Sequence, residues 1–239
     1  MRRLRFIPEG GGLVEVTCRT IQSRFFLRPT PAVNDLVVGV LGRAQRKHPI
    51  RVCAYAFVSN HFHLLLDVDD ALQLANFMHY VNSNLARKVG RLVGWRDKIW
   101  ARRYQAIVIS SEEAAQVERF RYVLAHGIKE GLVERVTDWP GVHCAQALLT
   151  GETVQGYWYD ETQTYAARRR PPQGRGIRPD ALRDARDPYP FSFALLEASL
   201  RRETAEARRR SDRRDRSRSS GPPPAHGEPG IWRASAVRG

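Results

Sequence analysis

The stretch Val52-Cys53-Ala54-Tyr55-Ala56-Phe57-Val58-Ser59-Asn60-His61-Phe62-His63-Leu64-Leu65-Leu66-Asp67-Val68 decides the fold. Two apolar runs, rich in β-favouring residues, flank a Ser-Asn pair. That is the pattern of two strands, residues 52–58 and 61–68, joined by a tight turn. Upstream, Leu13-Val14-Glu15-Val16-Thr17-Cys18 alternates with the period of a strand. Between it and the hairpin, after Pro29-Thr30-Pro31, residues 32–47 carry Leu36, Val37, Val40, Leu41 and Ala44 at helical spacing. Downstream, residues 72–89 repeat that spacing with Leu74, Phe77, Met78, Val81 and Leu85, and residues 104–109 read as a fourth strand. The order is β-α-β-β-α-β, which predicts an α+β domain with a ferredoxin-like antiparallel sheet. Right-handed crossovers would put both helices on one face and leave the other face free.

A further helix follows. Ser110 with Glu113 three residues on has the form of a capping box, and Gly127 that of a C-terminal stop. Val117, Phe120 and Leu124 form its apolar stripe. Leu132-Val133, Trp139-Pro140 and Tyr157-Trp158-Tyr159 read as packing residues that close a domain over 1–165.

Composition divides the chain at that point. Of 239 residues, 39 are Lys or Arg and 25 Asp or Glu, a net charge of +14. Residues 168–239 carry 18 arginines against nine acidic residues, and nine of the 14 prolines. Residues 166–239 therefore read as a largely disordered Arg/Pro-rich tail, with a short helix possible only near 191–200. Such an arm can hold phosphates without sequence preference or simply stay solvated. No apolar run reaches the length of a membrane span, and the basic start runs into Ile7-Pro8-Glu9-Gly10 rather than an apolar leader. Three widely spaced cysteines give neither a disulfide framework nor a CxxC zinc site. A cytoplasmic protein with a polyanionic partner is expected, without a membrane.

His61 and His63 lie two apart on a strand, so they share one face while Phe62, Leu64 and Leu66 share the other. Two imidazoles side by side can chelate a divalent metal, although an HxH pair alone is a weak signal. Tyr122 and His126, four apart on the predicted helix, also share a face, and it lies away from the apolar stripe. A metal held by His61, His63 and His126 would polarise a phosphodiester one helical turn from the Tyr122 hydroxyl. Arg102 and Arg103 precede the fourth strand between Trp100 and Tyr104, and Lys129 follows the helix. Arg102 and Arg103 are candidate DNA contacts and equally a solvated strand end, while Lys129 is a candidate contact that reads more readily as a surface lysine. His79 and His143 have no partner at ligand spacing.

Two segments carry a family resemblance. Ala56-Phe57-Val58-Ser59-Asn60-His61-Phe62-His63-Leu64-Leu65 resembles the hydrophobic strand ending in Pro-Asn-His-hydrophobic-His of the single-tyrosine HUH transposases. Residues 121–133, Arg121-Tyr122-Val123-Leu124-Ala125-His126-Gly127-Ile128-Lys129-Glu130-Gly131-Leu132-Val133, resemble the Tyr-Ile-x-x-Asn-Pro-Val-x-x-Gly-Leu-Val of the REP-associated tyrosine transposases, and Trp139-Pro140 resembles a pair that follows in many of them. The resemblance covers roughly residues 10–160. Ser59 stands where the family has Pro, and His126-Gly127 where it has Asn-Pro.

The resemblance implies a metal-dependent DNA strand transferase acting in DNA transposition. It implies a partner that is single-stranded or hairpin DNA, a catalytic helix carrying the nucleophile Tyr122, and a 5′-phosphotyrosine intermediate. His61 and His63 would be metal ligands, with His126 in the position of a polar third ligand. Mg²⁺ or Mn²⁺ is the metal implied; three histidines also suit Zn²⁺. Relatives act as monomers or as homodimers. Two other functions share the same pattern: a non-catalytic nucleic-acid-binding protein, and a zinc-dependent hydrolase, which would want a carboxylate base that Asp67, far along the strand, could offer.

Overall fold

A computed structural model describes residues 4–152 and 154–159, and the backbone of 186–191. Four strands, β1 (Gly12–Arg19), β2 (Arg51–Val58), β3 (His61–Val68) and β4 (Gln105–Val108), form one antiparallel sheet in the order β2-β3-β1-β4. Helix α1 (Pro31–Lys47) connects β1 to β2, and α2 (Ala71–Leu92) connects β3 to β4. This is the expected β-α-β-β-α-β arrangement.

Local chemistry sets the element ends. Thr30 caps α1, its Oγ1 accepting the Val33 N–H at 3.2 Å, with Pro31 in the first turn where its missing N–H is not needed. Asp70 caps α2, one carboxylate oxygen accepting the Leu72 and Gln73 N–H groups at 2.7 and 2.8 Å. The β2–β3 turn falls at Ser59-Asn60. A bulge between Val52 and Ala54 shifts the β2 register.

The register divides the side chains between two faces. Val14, Val16 and Cys18 of β1 sit opposite Leu66, Leu64 and Phe62 of β3. With Val37, Leu41, Leu74, Phe77 and Met78 from the helices they form the core. On the other face the β1–β3 partners are Glu15 with Leu65, Thr17 with His63 and Arg19 with His61. Helix α3 (Glu113–Leu124) packs over the β2–β3 half of this second face through Val117, Phe120 and Val123. Ala54 and Ala56, buried on that face, leave room for it.

Several local expectations are revised. Ser110 does not cap α3. Its Oγ accepts the Glu112 N–H two residues on, at 3.2 Å, a local turn that competes with a cap, and the helix starts at Glu113 without a side-chain cap. Gly127 does not end the helix either. The chain bends at Ala125 (φ −80°, ψ 5°), resumes as α4 (His126–Lys129), and turns left-handed at Gly131 (φ 67°). The buried stripe includes Val123, fully enclosed, while Leu124 is half-buried.

The segment 142–144 covers the outer edge of β2, with Phe57 N–H donating to Val142 O and Cys144 N–H to Tyr55 O. Trp139 Nε1 donates to Phe57 O at 2.8 Å. A short α5 (Ala145–Thr150) leads to β5 (Val154–Tyr159), which packs on α1 and pairs with β6 (Arg186–Phe191). One strand thus lies within the stretch read as tail. The expected disorder of the rest of 166–239, and the expected helix near 191–200, fall outside the described residues. Cys18, Cys53 and Cys144 are buried and unbridged, and burial holds each thiol up at about 12. Among the described residues no helix is long and apolar enough to cross a membrane.

Candidate active site

The hairpin turn puts His61 and His63 at the start of β3, on the face away from α1 and α2. Helix α3 lies across the same face, and the bend at Ala125 aims His126 at the pair. His61 Nε2 and His126 Nε2 are 2.7 Å apart, and the His63 and His126 rings are 4.1 Å apart between centroids. One ligand-capable nitrogen from each of the three histidines lies within 4.8 Å of the others. All three rings are buried, at 6%, 5% and 3% exposure.

Hydrogen bonds orient two of the rings. His61 Nδ1 faces Asn60 Oδ1 at 2.6 Å, and His63 Nδ1 faces Glu15 Oε1 at 2.7 Å. Each Nδ1 therefore carries the proton and each Nε2 a lone pair aimed into the cluster. His126 Nδ1 is buried with no protein partner. Burial, then the neighbouring histidines, pushes His61 down to about 3. Burial and His63 likewise push His126 down to about 4, against the pull of Glu15. A divalent cation requires neutral imidazoles as ligands, and burial favours that form in His61 and His126.

Glu15 is the functional residue that the sequence pattern passed over. It is 2% exposed. Its second oxygen accepts from Arg119 NH1 at 2.9 Å, so one carboxylate ties β3 to α3. Burial raises its pKa, but the bond to His63 and the charges of His63 and Arg119 outweigh this and hold it below the usual carboxylate value. The available signal was an acid in strand β1 on the face opposite Val14 and Val16, the same face as His61 and His63. Asp67 is no substitute, since it lies four residues beyond His63 and pairs with Arg51 at 2.6 Å.

Tyr122 joins the cluster. Its half-buried ring lies 5.7 Å from the His63 ring and 5.6 Å from that of His126. The Arg119 guanidinium and Lys129 Nζ lie 5.3 and 4.3 Å from its ring centre. A groove of about 560 Å³ exposes Tyr122 and the histidines and is bounded on its β1–β4 side by Arg19, Arg102 and Arg103. Lys129 is exposed and sits against the tyrosine. Tyr104, the other aromatic hydroxyl beside a basic pair, is a core residue at 5% exposure with its hydroxyl buried. His79 is exposed, and His143 is half-buried at the β2 edge, where Nδ1 accepts the Ala145 N–H. Neither belongs to the cluster.

Residues 18–124 match the family model described as transposase IS200 like. No curated protein matches the chain. Among solved structures, the chain is similar to a REP-associated tyrosine transposase bound to a REP hairpin. That match has 16% identity and a TM-score of 0.48, covering 63% of this chain and 86% of that one. A second similar structure is a candidate transposase from Deinococcus radiodurans, with 16% identity and a TM-score of 0.36, covering 51% of this chain and 95% of that one.

Proposed function

We propose, from the match of residues 18–124 to the IS200-like transposase model, that the chain cleaves and rejoins single-stranded or hairpin DNA with Tyr122 as nucleophile. One observation carries the reading: Tyr122 and three ligand-capable histidines line one groove, on side chains of a single chain. The motifs around His63 and Tyr122, with Trp139-Pro140, support the REP-associated branch of the family.

The Tyr122 oxygen attacks the phosphorus. The Oη–P bond forms as the P–O3′ bond breaks, and the phenolic proton passes through solvent to the departing 3′ oxygen. The products are a 5′-phosphotyrosine and a free 3′-OH, and rejoining reverses the step. His61, His63 and His126 would hold a divalent cation, whose Lewis acidity polarises the phosphodiester. An all-imidazole set favours Mn²⁺ or Zn²⁺ over Mg²⁺, which prefers oxygen ligands. Glu15 fixes the His63 ring and, through Arg119, the helix bearing Tyr122. Arg102, Arg103 and Lys129 supply positive charge for DNA phosphates around the groove. A zinc hydrolase is the second reading: Glu15 already accepts from both His63 and Arg119, whereas Glu130 Oε1 lies 3.7 Å from His126 Nε2 and lines the groove as a carboxylate base would.

The test is covalent capture. The full chain is incubated with Mn²⁺ and a labelled single-stranded hairpin carrying flanking sequence from the protein's own genomic neighbourhood, then resolved under denaturing conditions. The wild-type chain should form a protein–DNA adduct. Tyr122→Phe should lose it by about 10⁴-fold or more, as nucleophile removal does elsewhere, with hairpin binding intact. An adduct that survives in Tyr122→Phe would sink the assignment.

A further inference from the structure

Beyond the groove, the turn that follows β1 is built in an unusual way. Gln22 and Ser23 both have left-handed backbones, at φ 51° and 55°. Non-glycine residues adopt that region only when their surroundings impose it. Here Thr20 Oγ1 donates to Arg24 O at 2.6 Å, Asn60 Nδ2 to Ser23 O at 3.4 Å, and Leu27 N–H to Ser59 O at 2.9 Å. Phe26 and Leu27 are buried, and the Phe26 ring lies 5.2 Å from that of Trp95. Held from both sides, the turn leaves the intervening aromatic, Phe25, 69% exposed.

The surroundings are cationic. Residues 16–34 contain Arg19, Arg24 and Arg28 and no acid. Residues 98–111 contain Lys98, Arg102 and Arg103 and no acid. Backbone bonds bring the two segments together, Ile21 N–H to Ile99 O at 2.7 Å and Ala101 N–H to Arg19 O at 2.9 Å. Arg24 itself lies 4.6 Å over the Trp95 ring. Arg19 lines the groove in register with His61, and the turn starts at the next residue.

We propose that this turn is a stacking platform: an unpaired base of the DNA strand that enters the groove lies on Phe25, and the flanking arginines hold the adjacent phosphates. An exposed aromatic flanked by arginines matches the surface of a single strand, which offers base faces and phosphates together. A duplex offers phosphates but keeps its base faces stacked. Because the turn is already pinned, little ordering is lost on binding.

The inference rests on the reading of the chain as a DNA enzyme, but its test reads binding and not the adduct. Labelled oligothymidylate and a labelled blunt duplex are titrated with the full chain, followed by fluorescence anisotropy at several salt concentrations. Phe25→Ala should weaken oligothymidylate binding by about 5- to 150-fold, the worth of one stacked base. The salt slope and duplex affinity should stay unchanged. Phe25→Tyr should bind as wild type, and Phe25→Leu should resemble alanine. Wild-type affinity in Phe25→Ala or Phe25→Leu would overturn the platform, as would an equal loss on duplex. Loss of the Tyr122 adduct reaction alone would leave these outcomes readable.

Discussion

On the sheet face that α1 and α2 cover, Val14, Val16, Leu64 and Leu66 are fully buried. The residues between them in sequence, Glu15, Thr17, His63 and Leu65, point the other way. There α3 covers only half the surface, and a polar groove occupies the rest. Neighbouring residues of one strand thus serve different ends because strand side chains alternate. The covered face holds the fold through apolar area. The open face holds a buried acid and three buried histidines, groups that are costly to bury and useful for chemistry.

A pair of substitutions would break this division most directly. Leu64→Ala should cost about 2–5 kcal/mol of folding stability, read by denaturant unfolding, while the protein that remains folded still forms the adduct. His61→Ala should do the reverse, cutting adduct formation by more than about 100-fold with a far smaller change in the unfolding midpoint. If His61→Ala unfolded the chain as readily as Leu64→Ala, the two faces would not differ in role.

Glu15→Gln sharpens the comparison within the open face. The amide keeps the size but loses the charge that holds Arg119. Metal affinity should fall by about 10–100-fold, the usual cost of a lost outer-shell partner. Calorimetric titration with Mn²⁺ reads this directly, and unchanged affinity would remove Glu15 as a positioning residue.

Acid should act through the same face. His61, His126 and His143 are held near 3, 4 and 4, chiefly by burial, against 6.5 for a free imidazole. As pH falls from about 6.5 toward 4 the unfolded chain takes up protons that the folded chain refuses. The melting temperature of metal-free protein in chelator should therefore drop through that window and be flat between pH 7 and 8. A melting temperature constant from pH 7 to 4 would contradict buried neutral rings.

The smallest effect belongs to Lys129→Gln. It should reduce the slope of log affinity against log salt by about one unit and weaken DNA binding evenly across sequences. An unchanged slope would return Lys129 to the solvated surface.

The sequence by itself determined the element order, the side of β3 on which His61 and His63 lie, and the pairing of Tyr122 with His126. All of these are local periodicities, of two in a strand and 3.6 in a helix, and periodicity is legible wherever one face is buried. It also marked the carriers of chemistry, because His and Tyr in fixed spacing are rare enough to be noticed. Tertiary structure decided what those residues meet. Glu15 reads as one acid in an alternating strand, and its worth depends on β3 and α3 arriving over it from 48 and 104 residues away. The convergence of His126 depends on a bend at Ala125, where the sequence instead suggested a helix running on to Gly127. Tyr104 and Tyr122 look alike in sequence, each an aromatic hydroxyl with basic neighbours, yet one is core and the other lines the groove. Such distinctions come from packing between distant segments, which pattern along the chain does not encode.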